Sequence, residues 1–226
     1  MKKQLLTLCA MAIALSGCAS SNSYLANRTS TVEMYHIFDI KTNASTAAVI
    51  KAAADGLAQN TNDIQQTTPL QMGKTVPAEP GRFILEDVGA KLAAQNGGLG
   101  AIMQMAAAQN GGMTMKAARC DGAVWTSRAQ RTISGSSNLN LYSCLYKYKA
   151  GYHLNTYAVF NKVEGGVYQI SRDLASSLVG TPEQWVNKTI VDTLQSIEKV
   201  AGARVVRLEG QPELTGMPTG VLVGSN

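Results

Sequence analysis

Beyond the first 18 residues, the thiols and imidazoles of this sequence are Cys120, Cys144, His36 and His153, the residue types best suited to nucleophilic or metal chemistry. A thiolate beside an imidazole can attack a carbonyl carbon, so Cys120 with the downstream His153 is the pairing that would support covalent catalysis. The chain has two histidines in all, and neither sits in a His-x-x-x-His or Cys-x-x-Cys pattern that would gather zinc ligands. His36 and Asp39 are three apart in a strand-like stretch, which puts them on opposite faces and spoils them as a chelating pair. His36 falls on the apolar face and is expected to be a satisfied core histidine. No Gly-x-Ser-x-Gly elbow is present, which argues against an α/β-hydrolase nucleophile. Gly97-Gly98-Leu99-Gly100 lacks the lysine and the spacing of a phosphate loop. These residue types and spacings imply no metal and no cofactor.

The start of the chain carries a more specific signal. Lys2 and Lys3 precede an apolar run from Leu5 to Leu15, which closes as Leu15-Ser16-Gly17-Cys18. That order of basic, apolar and small residues is the order of an export signal, and its apolar part is too short to span as a helix. Ending on cysteine, it resembles the lipobox of bacterial lipoproteins over the first 19 residues. The resemblance implies that residues 1–17 are a signal peptide and that the Cys18 thiol carries a diacylglycerol. It also implies an acyl chain, such as palmitate, on the new amino group. Each buried methylene contributes about 0.8 kcal/mol, so two or three chains hold firmly where one binds only reversibly. Ala19 after the cysteine, rather than Asp, implies export to the outer membrane by that family's rule in Gram-negative bacteria, with the protein facing the periplasm. The membrane, through this anchor, and an envelope protein are the expected partners.

With Cys9 cut away and Cys18 acylated, Cys120 and Cys144 are the thiols left over in an exported chain. That implies a disulfide between them. The loop it closes, of about 25 residues, corresponds to about 3 kcal/mol of chain entropy. A competing reading starts from Cys120-Asp121-Gly122-Ala123-Val124-Trp125, which resembles the Cys-Ser-Gly segment of cysteine peptidoglycan peptidases. With His153, that resemblance implies a peptidase acting on cell wall. Those enzymes place the cysteine at a helix start, whereas this segment reads as strand, and no orienting polar group stands out after His153.

Composition narrows the rest. The 226 residues carry a net charge of +5, and loss of Lys2 and Lys3 brings it to about +3, which does not suggest a nucleic-acid partner. Beyond the start, the most apolar stretch runs from Gly98 to Ala108, about half of the roughly 20 residues a spanning helix needs. Lys116, Arg119, Arg128, Arg131, Lys147 and Lys149 interleave with Trp125, Tyr142, Tyr146 and Tyr148. Gathered on one face, they would suit an anionic envelope lipid or glycan, with Arg128, Arg131, Lys147 and Lys149 facing the ligand. Spread over a solvated sheet, they are ordinary surface charge.

The elements that must position these residues follow from periodicity. Thr31–Lys41 alternates as a strand, with Val32, Met34, His36, Phe38 and Ile40 on one face. A helix capped by Asn43 or Ser45 runs to about Gln59. Asn60–Thr68 reads as a polar edge strand, Pro69, Pro77 and Pro80 mark an irregular connection, and Arg82–Leu85 reads as a short strand. A helix weakened by Gly89 is expected over Glu86–Gln95. Ala93–Gly98 recurs as Ala107–Gly112, which reads as two helix ends stopped by Asn-Gly-Gly. The Met-rich stretch between them suits either core or a contact surface. From Met113 to Gln169 the pattern is an antiparallel meander, with turns at 134–138, 150–151 and 164–166. Leu139, Leu141 and Leu145 share one of its faces; Tyr142, Cys144, Tyr146 and Tyr148 share the other.

A short helix over Ser171–Val179 precedes the most clearly signalled one, which Thr181 caps, Pro182 starts, Gln184 boxes and Gly202 ends. Arg204–Leu208 closes the pattern as a strand. The organisation expected is a signal peptide (1–17), a lipidated cysteine and polar tether (18–30), one α+β domain (31–209) and a flexible tail (210–226). Its fold class is an antiparallel sheet with helices packed on one face.

Overall fold

A computed structural model of the chain describes residues 28–71, 75–95, 102, 116–132, 138–164, 180–216 and 222–223. Cys18 with its signal and tether, the 14-residue echo and the Met-rich stretch apart from Ile102, the turns expected at 134–138 and 164–166, and the 171–179 helix lie wholly or largely outside those residues.

The apolar alternation of the first strand is realised as β1 (Arg28–Lys41), which begins three residues before the expected start. Ser45 caps α1 (Thr46–Ala58), its side chain accepting from the Ala48 backbone N–H. Then follow β2 (Ile64–Thr67), β3 (Ile84–Asp87), α2 (Val88–Gln95) and β4 (Lys116–Arg119). The meander is β5 (Trp125–Thr132), β6 (Asn138–Tyr148) and β7 (Gly151–Glu164). The chain closes with α3 (Pro182–Ala201), β8 (Arg204–Gln211) and β9 (Leu222–Val223).

One sheet has the order β2-β5-β6-β7-β1-β8-β9; its first six strands are antiparallel and β9 adds a parallel edge. β3 and β4 pair apart from it as a two-stranded sheet. The fold is therefore α+β, as expected, but β4 does not join the meander. Gly210 and Pro212 look like loop punctuation, yet β8 continues to Gln211 and Leu222–Val223 pairs with it.

The helices α1 and α3 lie on the face of the sheet that carries Phe38, Ile40, Leu139, Leu141, Leu145, Leu154 and Phe160, all buried with Val49, Leu57, Ile190, Leu194 and Ile197 in one cluster. The signals read for α3 are all in place. Thr181 and Gln184 form a reciprocal capping box, and Gly202 ends the helix in the left-handed region. Trp185 Nε1 donates to the Asn60 carbonyl (3.1 Å), and Asn60 Nδ2 donates to Asp192 (2.8 Å), tying the end of α1 to α3.

The two helices approach closely at Gly56. A Cβ there would lie 2.5 Å from Thr193 Cα and 2.9 Å from the Asp192 carbonyl oxygen, both backbone atoms that cannot swing aside. In an open helix Gly→Ala gains roughly 1 kcal/mol. Here the helices would have to move apart, so Gly56→Ala is expected to lose roughly 1–3 kcal/mol. Chemical denaturation checks this; a more stable variant would show that the helix contact is loose.

Candidate functional site

The face of the sheet without helices is where the polar chemistry collects. Strand alternation sends Glu33, Tyr35, Asp39 and Lys41 of β1 to this side, with His153, Asn155 and Tyr157 of β7 and Tyr142, Cys144, Tyr146 and Tyr148 of β6. The face is partly roofed. Gly81 lies so close over the Tyr146 ring that a Cβ would overlap it. Phe83 packs 6.0 Å, ring to ring, from Tyr157. The Lys149 backbone N–H donates to the Pro77 carbonyl (3.0 Å). The disulfide between Cys120 and Cys144 (Cα–Cα 5.5 Å) pins the end of β4 to the middle of β6. Ala123, Cys144 and Tyr146 are buried together, with Phe83 and Cys120 against them.

Two polar groups stand out on this face. In the first, the Tyr148 hydroxyl donates to Asp39 Oδ1 (2.6 Å), Lys41 Nζ lies 3.0 Å from Asp39 Oδ2, and His153 Nε2 lies 3.5 Å from Asp39 Oδ1. Lys41 also donates to the Tyr148 hydroxyl, and the Tyr148 and His153 rings meet edge-on at 5.3 Å. Burial holds His153 below its ordinary pKa; Asp39 opposes that shift, and Lys41 and Arg82 add to it. Burial and the hydrogen bond to Asp39 push the Tyr148 hydroxyl up. Lys41 is raised despite some burial, through its bonds to Tyr148 and Asp39. A tyrosine or lysine base needs the opposite shift, toward neutrality. The arrangement instead fixes a protonated tyrosine, a charged lysine and a neutral histidine around one carboxylate. Removing that carboxylate with Asp39→Asn takes away the one group that favours protonated His153. The imidazole is then expected to titrate at still lower pH, as read by NMR of its ring protons. An unchanged or upward shift would mean that Asp39 does not act on the imidazole in solution.

The second group is a ladder. Arg128 lies 5.8 Å over the Tyr142 ring, Tyr142 stacks 6.3 Å from Tyr157, and Phe83 continues the row. The Tyr157 hydroxyl donates to Glu33 Oε2 (3.0 Å), whose other oxygen accepts from Lys116 (2.7 Å). Arg128 Nε and Gln130 Nε2 both donate to Asn140 Oδ1 at 2.9 Å. Tyr35, Tyr142 and Arg128 remain half-buried, so the ladder presents aromatic and guanidinium surface to solvent.

The basic residues expected to face a ligand together are divided between the two sides of the sheet. Arg128 is on the helix-free face. Arg131 lies 6.0 Å over the Trp185 ring on the helix side. Lys147 is also on the helix side, donating to Thr46 Oγ1 (3.1 Å) beside the Tyr152 ring. Lys149 is exposed in the β6–β7 turn. Cys120 is bonded to Cys144 and offers His153 no thiolate. His36 is a fully buried residue on the helix side, as its place in the apolar alternation predicts, but it is not satisfied: neither ring nitrogen has a hydrogen-bond partner.

The Asp39–His153 pair went unread because it depends on β1 lying beside β7, which no local pattern gives. The available signal was parity: Asp39 and His153 both fall on the polar side of alternating strands. Among the described residues, no three His, Cys, Asp or Glu side chains gather as a metal site requires, and no helix is long and apolar enough to cross a membrane. The chain gives no significant match to any protein-family model, curated protein or solved structure.

Proposed function

We propose that this protein is a non-catalytic interaction module of the bacterial envelope, moored to the outer membrane by lipid on Cys18 and docking an envelope protein on its helix-free sheet face. The observation that carries the docking reading is the ladder Arg128–Tyr142–Tyr157–Phe83, with half-exposed Tyr35 on the same face. Arginine and tyrosine are enriched among the residues that dominate interface energetics: tyrosine brings large contact area with few rotors and a polar tip, and arginine a planar fork of donors that stacks on aromatic rings. The Asp39 group supports a binding role over a catalytic one, since its lysine and tyrosine are both driven away from base strength. The Cys120–Cys144 disulfide agrees with an oxidising compartment such as the periplasm.

The anionic lipid or glycan reading is less favoured, because Arg131 and Lys147 are on the helix side. Mass spectrometry of the native product tests the anchor: acyl mass on an N-terminal Cys18 is expected, and an intact Met1 with a free Cys18 thiol would overturn it. Pull-down from crosslinked envelopes tests the partner. A recurring protein is expected to co-purify with the native chain and to be lost on Arg128→Glu with Tyr142→Ala. Isolation of the chain alone in repeated preparations would count against the reading.

A further inference from the structure

Among the described residues, three buried polar atoms on the helix-free face have no hydrogen-bond partner: the Tyr146 hydroxyl and both side-chain polar atoms of Asn155. Strand register places them together. Asn155 lies between Cys144 and Ile37, its neighbours across β6 and β1, and Tyr146 faces His153, two residues back along β7. Ile37, Asn155, Tyr146 and Tyr157 are all buried, although α1 and α3 lie on the other side of the sheet. What lies over this strip is the roof, with Gly81 against the Tyr146 ring, Phe83 beside Tyr157 and Cys120 bonded to Cys144. The roof strips water from an amide and a hydroxyl and gives them no partner, which disfavours the closed arrangement. Burial, with Asp121 of the roof adding to it, pushes the Tyr146 hydroxyl up to about 12.

The roof has little core of its own, since Ile84 and Leu85 of β3 are exposed. The Lys116–Glu33 and Arg82–Glu209 ion pairs that help to hold it are a third or more exposed on each side, and such pairs hold weakly. Its covalent tie is the disulfide, in which Cys144 is buried and Cys120 is the partly exposed end. Phe83 belongs to this roof and closes the aromatic row at Tyr157. It stands where an aromatic side chain of another protein would stand if the roof were lifted.

We propose that the roof, residues 75–87 and 116–122, is a redox-released cover over the inner part of the docking surface. The occupant named here rests on the docking reading above; the cover itself does not. A thiolate of a dithiol reductant, such as an envelope dithiol oxidoreductase, attacks the accessible Cys120 sulfur. The S–S bond breaks, a mixed disulfide forms at Cys120, and Cys144 leaves as a thiolate and takes up a proton. The reductant's second thiol then resolves the mixed disulfide, so that Cys120 is freed as a thiol and the reductant is left as a disulfide. Two electrons have passed to the cysteine pair. The released roof uncovers Tyr157, Tyr146, Asn155 and Ile37. These suit an extended segment of the envelope protein, whose aromatic side chain replaces Phe83 and whose backbone N–H and C=O pair with the Asn155 amide.

The test uses the full chain labelled with 3-fluorotyrosine, oxidised or treated with dithiothreitol, with Tyr146→Phe, Tyr157→Phe and Tyr152→Phe assigning the fluorine signals. A soluble neutral gadolinium chelate is expected to broaden Tyr146 and Tyr157 in the reduced chain and neither in the oxidised one. Tyr152, buried on the helix side, is expected to stay sharp in both. Tyr146 and Tyr157 signals equally protected in the two states, or exposure of Tyr152 along with them, would overturn the cover. The occupant is tested in crosslinked envelopes, where Cys120→Ser with Cys144→Ser is expected to retain more of the partner than the native chain does. Equal retention would overturn the cover's role in docking. No partner with either chain would instead overturn the docking reading, and the fluorine signals would still decide the cover.

Discussion

Replacing Cys120 and Cys144 together by alanine is expected to lower the unfolding free energy by about 3 kcal/mol. The bond joins residues 24 apart in sequence, so its loss returns that loop's closure entropy to the unfolded chain. The native-state effect is local. The bond is a main tie between the β4 end of the small sheet and the large sheet, beside the Lys116–Glu33 ion pair (2.7 Å) and the contact of Phe83 with Tyr157. Ile84 and Leu85 of the small sheet are exposed and add little burial. Hydrogen exchange should therefore quicken first in residues 75–87 and 116–124, while α3 and β7 keep their protection. A loss below about 1 kcal/mol, or uniform loosening of all strands, would mean that the bond is not a structural tie.

Acid should act through His36. Its folded pKa is about 4, against an ordinary value of 6.5, because burial and then Arg207 disfavour the imidazolium. The unfolded chain therefore binds a proton at higher pH than the folded one does. The stability this group contributes is complete above pH 6.5 and is lost as pH falls toward 4. The full difference is about 3 kcal/mol, at about 1.4 kcal/mol per pH unit within that window. His153 is also depressed by burial and acts in the same direction, so the contribution of His36 is isolated by comparison with His36→Leu. Urea unfolding of the two proteins between pH 7 and 4 should show a gap that moves against the wild type as acid is added. A gap constant with pH would mean that His36 is not buried neutral.

Much of the scaffold was legible locally. The Thr181–Pro182–Gln184 signature and Gly202 placed both ends of α3, because caps are made by residues adjacent in sequence. The alternation of β1 and β6 placed His36 in the core and divided the leucines from the tyrosines. What stayed hidden depends on distant pairing. β1 lies between β7 and β8, whose residues are more than 100 positions away, and this neighbourhood brings His153 to Asp39 and Gly210 to His36. The withdrawal of β4 into a second sheet likewise depends on β3, across an excursion from Asp87 to Lys116.

The division of the basic residues is different, because strand parity already contained it. Arg128 and Arg131 are three apart, and Lys147 shares the face of Leu145. Interleaving with aromatics along the chain suggested one surface, whereas period-2 geometry makes two.

Docking on the helix-free face can be tested by placing a photo-crosslinking residue in intact cells, in turn at Tyr35 and Tyr142 and, on the opposite side, at the exposed positions Lys51 and Val200. A discrete protein adduct from Tyr35 and Tyr142, absent from Lys51 and Val200, is the expected result. Adducts of equal strength from both sides, or none from the tyrosine positions in a protein that has reached the envelope, would contradict it.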